Sequence, residues 1–339
     1  MSATRYTQSS APAEDVAGTD GTPTVQALAR ERLPVRREYF AVSDTGRTVF
    51  VPQRLGLDVA SVVVPRVGPD GWIYRYDDGV YVESGEPYAR ATAQWLLDER
   101  TRTGHVREAV EWIRTGARVN PISFDPDPAH IVRVGNGILD LRAWGAGGAN
   151  GGLTPYTSEN ASLIKLPWNL TASECPRVDA FLSEVFANDP EMIRHALEII
   201  GYCCQARNPL RRAVLLIGSG ANGKSILLHL LTCLLGAGNV ATLPLGRLSG
   251  DDRFAPSSLV GKLANVCGDL PSSAPKDVSL FKQITGQDRI FAERKGRDGF
   301  NFTCGAVPVF SANEYPPLAR CLVGVFLTVG SRAVRCHVR

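Results

Sequence analysis

The stretch of sequence that decides the fold is a glycine-rich loop, Gly218-Ser219-Gly220-Ala221-Asn222-Gly223-Lys224-Ser225. It has the pattern G-x-x-x-x-G-K-S/T, in which glycines let successive backbone N–H groups converge on phosphate oxygens. An apolar run at residues 213–217 precedes the loop, and a mostly apolar run at residues 226–231 follows it. The sequence therefore predicts a strand, a phosphate-binding loop and a helix, in this order.

The last two residues of the loop carry the chemistry that this pattern provides. A lysine at this position holds the β- and γ-phosphates of a nucleotide, and a serine hydroxyl is a ligand of Mg²⁺. The N-terminus of the following helix adds a partial positive charge. We therefore expect a nucleoside triphosphate with Mg²⁺ at Lys224 and Ser225. The alternative is a glycine-rich turn that binds no nucleotide.

Two later segments end in polar side chains that suit such a site. The mostly apolar run at residues 262–268 leads into Asp269, which predicts a second metal-holding acid after a neighbouring strand, although Asn265 interrupts the run. Residues 306–312 lead into Asn313, whose amide could contact the γ-phosphate and the attacking water. The alternatives are an aspartate that begins an ordinary loop and an asparagine that begins a turn.

A basic segment lies between these two runs. Residues 293–300, ERKGRDGF, combine three cations and two glycines between apolar flanks. This pattern predicts the tip of a β-hairpin, with Lys295 and Arg297 in contact with DNA phosphates. A solvated charged turn is the alternative.

Composition limits the class of protein. A chain of 339 residues has room for about two domains and tails, and its net charge of +3 means that any nucleic-acid surface must be local. No apolar run reaches the ~18 residues of a membrane span, and the N-terminus has no apolar signal-peptide core. The eight cysteines contain no C-x-x-C pair, so no zinc site is expected. A cytoplasmic location without membrane contact is predicted.

The chain divides into four predicted parts. These are a flexible tail at 1–35, a smaller α+β module at 36–170, an ATPase domain at 171–317 and an atypical C-terminal tail at 318–339. In the module, Asp77-Asp78-Gly79 predicts a hairpin, whose aromatic neighbours form either a small sheet core or a platform for bases. From residue 213 onward, alternating strand and helix patterns predict a parallel sheet with flanking helices.

Together these residues resemble the C-terminal part of phage/plasmid primase–helicases, whose motor is a superfamily 3 helicase. The resemblance rests on Asn222 before Gly-Lys-Ser, on the run that leads into Asp269, on residues 281–288 (FKQITGQD) and on residues 311–316 (SANEYP). It covers roughly residues 70–317. It implies an α/β fold of the P-loop NTPase (AAA+-like) type, preceded by a smaller α+β module.

The resemblance also implies a function. The expected protein is a helicase or translocase of phage or plasmid DNA replication that hydrolyses ATP with Mg²⁺ and moves on single-stranded DNA or a replication fork. Expected partners are further copies of the chain in a ring, as a hexamer, and a separate primase. The implied roles are catalytic for Lys224, Asp269 and Asn313, metal-binding for Ser225 and Asp269, and DNA-binding for Lys295 and Arg297.

Two departures from the family leave alternatives open. Only about 35 tail-like residues precede the β-rich segment, so primer synthesis is not expected. Residues 318–339 contain no acid and do not match the family's arginine-finger segment, so neither Arg332 nor Arg335 is assigned that role. We hypothesise a frameshift or truncation there.

The alternative functions are an ATP- and DNA-binding remnant or loader with little turnover, and a small-molecule kinase.

Overall fold

The computed structural model of the protein describes residues 38–147, 149–219, 222–248, 252–268, 270, 278–314, 324–328 and 337–338. The predicted tail at 1–35 lies outside these residues. The strands are β1 (Phe40–Val42), β2 (Thr48–Phe50), β3 (Pro65–Val67), β4 (Ile73–Asp77), β5 (Val80–Val82), β6 (Ile131–Val134), β7 (Gly137–Asp140), β8 (Leu153–Thr154), β9 (Ala213–Ile217), β10 (Val240–Ala241), β11 (Ala264–Cys267), β12 (Arg289–Ala292), β13 (Phe300–Thr303), β14 (Val307–Ala312), β15 (Gly324–Thr328) and β16 (His337–Val338). The α-helices are α1 (Pro52–Val63), α2 (Gly85–Leu97), α3 (Thr103–Ala117), α4 (Leu141–Gly145), α5 (Pro176–Val185), α6 (Pro190–Cys203), α7 (Lys224–Leu235) and α8 (Ser279–Gly286).

A mainly parallel sheet forms the centre of the C-terminal half. Its strand order is β10-β11-β14-β9-β15-β16, and only the last pair, β15 with β16, is antiparallel. All residues of β9 and β14 are buried, as expected for continuous apolar runs in a sheet that is covered on both faces. The predicted α/β class, a parallel sheet with flanking helices preceded by a smaller α+β region, is confirmed.

The order of the strands corrects one expectation. We expected the run before Asp269 to be the direct neighbour of the strand before the glycine-rich loop. Instead, β14 lies between β11 and β9 and pairs with both. Asn265, which interrupts the apolar run, is 1% exposed. Its side-chain amide accepts a hydrogen bond from the N–H of Leu243 (2.7 Å) and donates one to its carbonyl (2.9 Å), so this polar residue satisfies the backbone beside β10.

The region before residue 170 contains small antiparallel sheets and helices. The hairpin predicted at residues 77–79 is present between β4 and β5, with positive φ at Asp78 (+42°) and Gly79 (+94°). Helix α1 was not predicted, although Leu55, Val59 and Val62 have helical spacing and are buried. Residues 131–140 form a hairpin of β6 and β7, in which the chain reverses at Gly135-Asn136.

The aromatic residues of this region form core rather than a platform for bases. Tyr74 is fully buried and Tyr81 is 2% exposed. Both belong to a hydrophobic cluster that includes Phe124 and Phe300, so the cluster contains side chains from both halves of the chain. A second cluster lies wholly within residues 39–113. The domain boundary at residue 170 stays a prediction.

Two of the helices that precede β9 begin at prolines. Helix α5 begins at Pro176, and α6 begins at Pro190, where the carboxylate of Asp189 caps the first turn.

In the atypical tail, residues 324–328 form β15 and pair in parallel with β9, whereas Arg332 and Arg335 lie outside the described residues. None of the helices in the described part of the chain is long and apolar enough to cross a membrane.

Candidate functional site

The glycine-rich loop connects the end of β9 with the beginning of α7, as predicted. The N–H of Gly218 donates to the carbonyl of Ala312 at the end of β14 (3.2 Å), so the loop leaves the sheet beside the neighbouring strand. Ser219 is exposed, and Gly220 and Ala221 lie outside the described residues. The loop therefore lies at the carboxyl edge of the parallel sheet, where ligands of α/β folds bind.

Gly223 is the residue from which α7 starts. Its backbone is left-handed (φ +87°), a conformation that glycine adopts without a steric cost. A Cβ atom built here would lie 2.7 Å from Cγ2 of Val185, at the end of α5. The loop is therefore supported from behind by a helix that precedes β9, a contact that the sequence motif did not predict.

Lys224 occupies the first turn of α7 and is 7% exposed. Its ammonium group donates to the carbonyl oxygen of Gly218 and to Oδ1 of Asn222 (3.0 Å). These contacts hold the positive charge over the loop. Asn222, which the motif leaves free to vary, thereby acts as a positioning residue for the lysine.

The beginning of α7 offers further donors to an anion. Gly223 makes no side-chain cap to the helix, and the first N–H groups of an α-helix have no partner within the helix. Ser225 is an exposed residue of this first turn. The loop, the buried ammonium group and the open helix end fit the phosphates of a nucleotide.

Asn313 is exposed and follows β14 directly. Because Ala312 pairs with Ile217 in the parallel sheet, Asn313 and Gly218 leave neighbouring strands at the same edge. Asp269 lies outside the described residues, while the N–H of Leu270 donates to the carbonyl of Ser311 (2.8 Å). The catalytic roles of Asn313 and Asp269, and Mg²⁺ binding by Ser225 and Asp269, stay predictions.

The basic segment forms the tip of a hairpin, as predicted. Strands β12 and β13 pair in an antiparallel register, and Gly296 turns the tip with a positive φ (+73°). Lys295 and Arg297 are both exposed. The guanidinium carbon of Arg297 lies 5.6 Å from the ring centroid of Trp72. Contact of these two cations with DNA stays a prediction.

The third cation of the tip, Arg294, has a different environment. Its side chain is 14% exposed and makes ion pairs with Asp70 (3.2 Å) and Glu83 (2.7 Å). The Asp70 side chain is fully buried and also accepts a hydrogen bond from the hydroxyl of Tyr74 (2.9 Å). Burial, together with the neighbouring Asp70 carboxylate, raises the pKa of Tyr74. Arg294 therefore anchors the hairpin to the N-terminal region.

The chain has limited similarity to known proteins. Residues 216–321, less than half of the chain, match DUF5906, a family of unknown function. The apo structure of the NrS-1 C-terminal region (A form) is 16% identical, with a TM-score of 0.39 over 49% of this chain and 40% of that chain. JCV helicase with a bound acetamide ligand is 17% identical, with a TM-score of 0.32 over 44% of each chain. The chain thus spans less than half of the length of either structure. No curated protein matches it.

Proposed function

We propose that the protein is an ATP-dependent DNA helicase or translocase of phage or plasmid replication. The observation that carries this proposal is the buried ammonium group of Lys224, held by Gly218 and Asn222 at the beginning of α7. A buried cation beside an open helix N-terminus is suited to a multiply charged phosphate chain. The motif that contains it belongs to the sequence pattern of superfamily 3 helicases described above.

Each residue of the proposed site has a distinct task in the reaction. Lys224 and the first N–H groups of α7 bind and orient the β- and γ-phosphates of ATP, with the loop Gly218–Ser225 around them. Asn313, at the same edge of the sheet, orients the attacking water. Ser225 and Asp269 would hold Mg²⁺, which neutralises charge on the phosphate oxygens when bound.

The remaining parts of the proposal concern assembly and DNA. Lys295 and Arg297 contact single-stranded DNA or the fork through its phosphates, so binding weakens with salt. Copies of the chain form a ring, as a hexamer, in which a neighbour can supply an arginine to the ATP site. Such an arginine increases the hydrolysis rate by roughly three to five orders of magnitude. The primase is a separate protein, and the ring acts in the cytoplasm of a bacterial host.

An ATPase assay with and without single-stranded DNA tests the proposal. We expect turnover that DNA stimulates and that falls to background in Lys224→Ala, because the phosphates lose their buried cation. Arg107→Ala removes an exposed cation of α3 that is distant in sequence from the loop, and should keep wild-type turnover. Nucleotide binding without turnover would support the remnant or loader instead. Phosphate transfer to a metabolite, unaffected by DNA, would support the kinase.

A further inference from the structure

A cleft of about 1000 Å³ separates the basic hairpin tip from the C-terminal end of α3. Its three walls come from four segments of the chain: the tip at residues 293–298 forms one wall, the end of α3 with residues 70–71 forms the second, and residues 253–254 form the third. Six cationic and four acidic side chains line it, so the cleft is positive although the whole chain is nearly neutral. A local positive groove of this kind attracts a polyanion.

The cations of the cleft differ in how they are neutralised. Arg114 is paired with Glu86 and Glu111, and Arg294 is paired with Asp70 and Glu83. For Arg118, Lys295 and Arg297, by contrast, the described part of the chain records no ion pair. Three cations from opposite walls are therefore available to an anionic ligand.

Arg118 brings the N-terminal region into this cleft. It is the exposed C-cap residue of α3, where the negative end of the helix dipole favours a cation. The neighbouring Arg114 fixes the last turn of the helix, because its guanidinium also donates to the carbonyl of Gly71 (2.6 Å). The position of Arg118 opposite the tip is thus set by the packing of α3.

The third wall combines a cation with an aromatic ring. Arg253 is paired with Glu293 at 3.3 Å, but its side chain is 69% exposed, and such surface pairs contribute little. Its guanidinium carbon lies 4.8 Å from the ring centroid of Phe254, which is itself 38% exposed. An exposed ring beside a cation suits a nucleotide, whose base stacks while its phosphate pairs.

We propose that this cleft is the path of a single DNA strand, and that the hairpin tip forms only one of its walls. Arg118 and Arg253 contact phosphates from the other walls, and Phe254 stacks on a base. The inference rests on the proposed function, because it assigns the route of the DNA on which the motor acts. It gives the N-terminal region a direct part in DNA binding.

Binding of a fluorescein-labelled oligo(dT), measured by anisotropy across a series of salt concentrations, tests the path. Each of Arg118→Gln and Arg253→Gln should weaken binding several-fold and reduce the slope of log K against log salt by about 0.7 per lost phosphate contact. Arg118→Lys should restore most of the slope, because the charge remains. Arg107→Gln is the matched control on the same helix, outside the cleft, and should bind as the wild type does.

Two results would overturn the path and leave the proposed function standing. One is a wild-type salt slope in folded Arg118→Gln and Arg253→Gln while Lys295→Ala and Arg297→Ala lose affinity. The other result comes from ultraviolet crosslinking of the wild-type protein alone to the oligonucleotide. The peptide that contains Phe254 should be modified. Crosslinks confined to the hairpin tip would contradict the inference. If the wild type neither binds DNA nor hydrolyses ATP, the proposed function itself fails. Circular dichroism establishes that each variant is folded.

Discussion

At the scale of a single residue, Gly223 meets two structural requirements. Its positive φ lets the chain enter α7, and the missing side chain leaves room for Val185. The first requirement follows from the motif, since glycine is the residue that tolerates this conformation. The second follows from the packing of α5 behind the loop. A substitution here therefore affects the glycine-rich loop through two separate physical causes.

Replacement of Gly223 by alanine tests both requirements together. We expect Gly223→Ala to lower the free energy of unfolding by about 1–3 kcal/mol, the usual cost of a strained backbone residue, and to weaken nucleotide binding. Thermal unfolding and binding of a fluorescent ATP analogue are the two measurements. Gly201→Ala is the control, because Gly201 lies in α6 with nothing within 4 Å of a new Cβ. It should stabilise the protein by up to about 1 kcal/mol; equal effects of the two variants would contradict the argument.

At the scale of elements, one carboxylate links helices α2 and α3. Glu86 accepts hydrogen bonds from Arg90 on its own helix (2.8 Å) and from Arg114 on α3. Burial alone would raise the pKa of Glu86, but the hydrogen bonds and charges of the two arginines outweigh it, so the pKa is lowered. The pair of helices is thus held partly by an ionised group.

The lowered pKa of Glu86 gives stability a defined pH dependence. A group with a lower pKa in the folded state stabilises fully above its ordinary pKa of 4.5, and this stabilisation is lost as the pH falls through the folded value. We expect Glu86→Gln to be less stable than wild type at pH 7, with a difference that shrinks below about pH 4.5. Urea unfolding at several pH values measures it.

Glu108→Gln is the matched control for this experiment. Glu108 is an exposed residue of α3, and the structure records no ion pair for it among the described residues. Its replacement should change the free energy of unfolding by less than about 0.5 kcal/mol. A Glu86→Gln difference that persists unchanged in acid would contradict the assigned cause.

At the scale of the whole molecule, the two halves of the chain share core side chains. Phe124 is 6% exposed, and its ring makes edge contacts with Tyr74 on one side (5.7 Å) and with Phe300 of the hairpin on the other (5.2 Å). The buried pair of Asp70 and Arg294 lies in the same region. We therefore expect the two halves to unfold together.

Phe124→Ala tests this cooperativity. The large buried ring is replaced by a cavity, so the free energy of unfolding should fall by about 3–5 kcal/mol in a single transition. All five tryptophans precede residue 171, and one of them, Trp168, donates a hydrogen bond to α7, at the carbonyl of Leu234. Tryptophan fluorescence therefore reports mainly on the N-terminal half, and far-UV circular dichroism reports on the whole chain. The two signals should shift together. Separate transitions, of which only one moves, would contradict the expectation, and Val119→Ala, at an 87% exposed residue, should leave both signals in place.

Much of the local structure could be predicted from the sequence. The strand before the loop, the helix that begins at Lys224, the starts of α5 and α6 and the basic hairpin all follow from nearby residues. Apolar periodicity, proline positions and glycine conformations act over a few residues, so the sequence displays them directly. Helix α1 was missed although its apolar spacing was present in the sequence.

Only the tertiary structure decided which segments that are distant in the sequence become neighbours. It placed β14 between β9 and β11, gave Asn265 its backbone partners and separated Arg294, which anchors the hairpin, from the exposed Lys295 and Arg297. The sequence by itself determined the glycine-rich loop between β9 and α7, because the conformation of the loop depends on its own glycines. The order of the strands and the partner of each charge depend on how distant segments pack, and no local pattern contains that information.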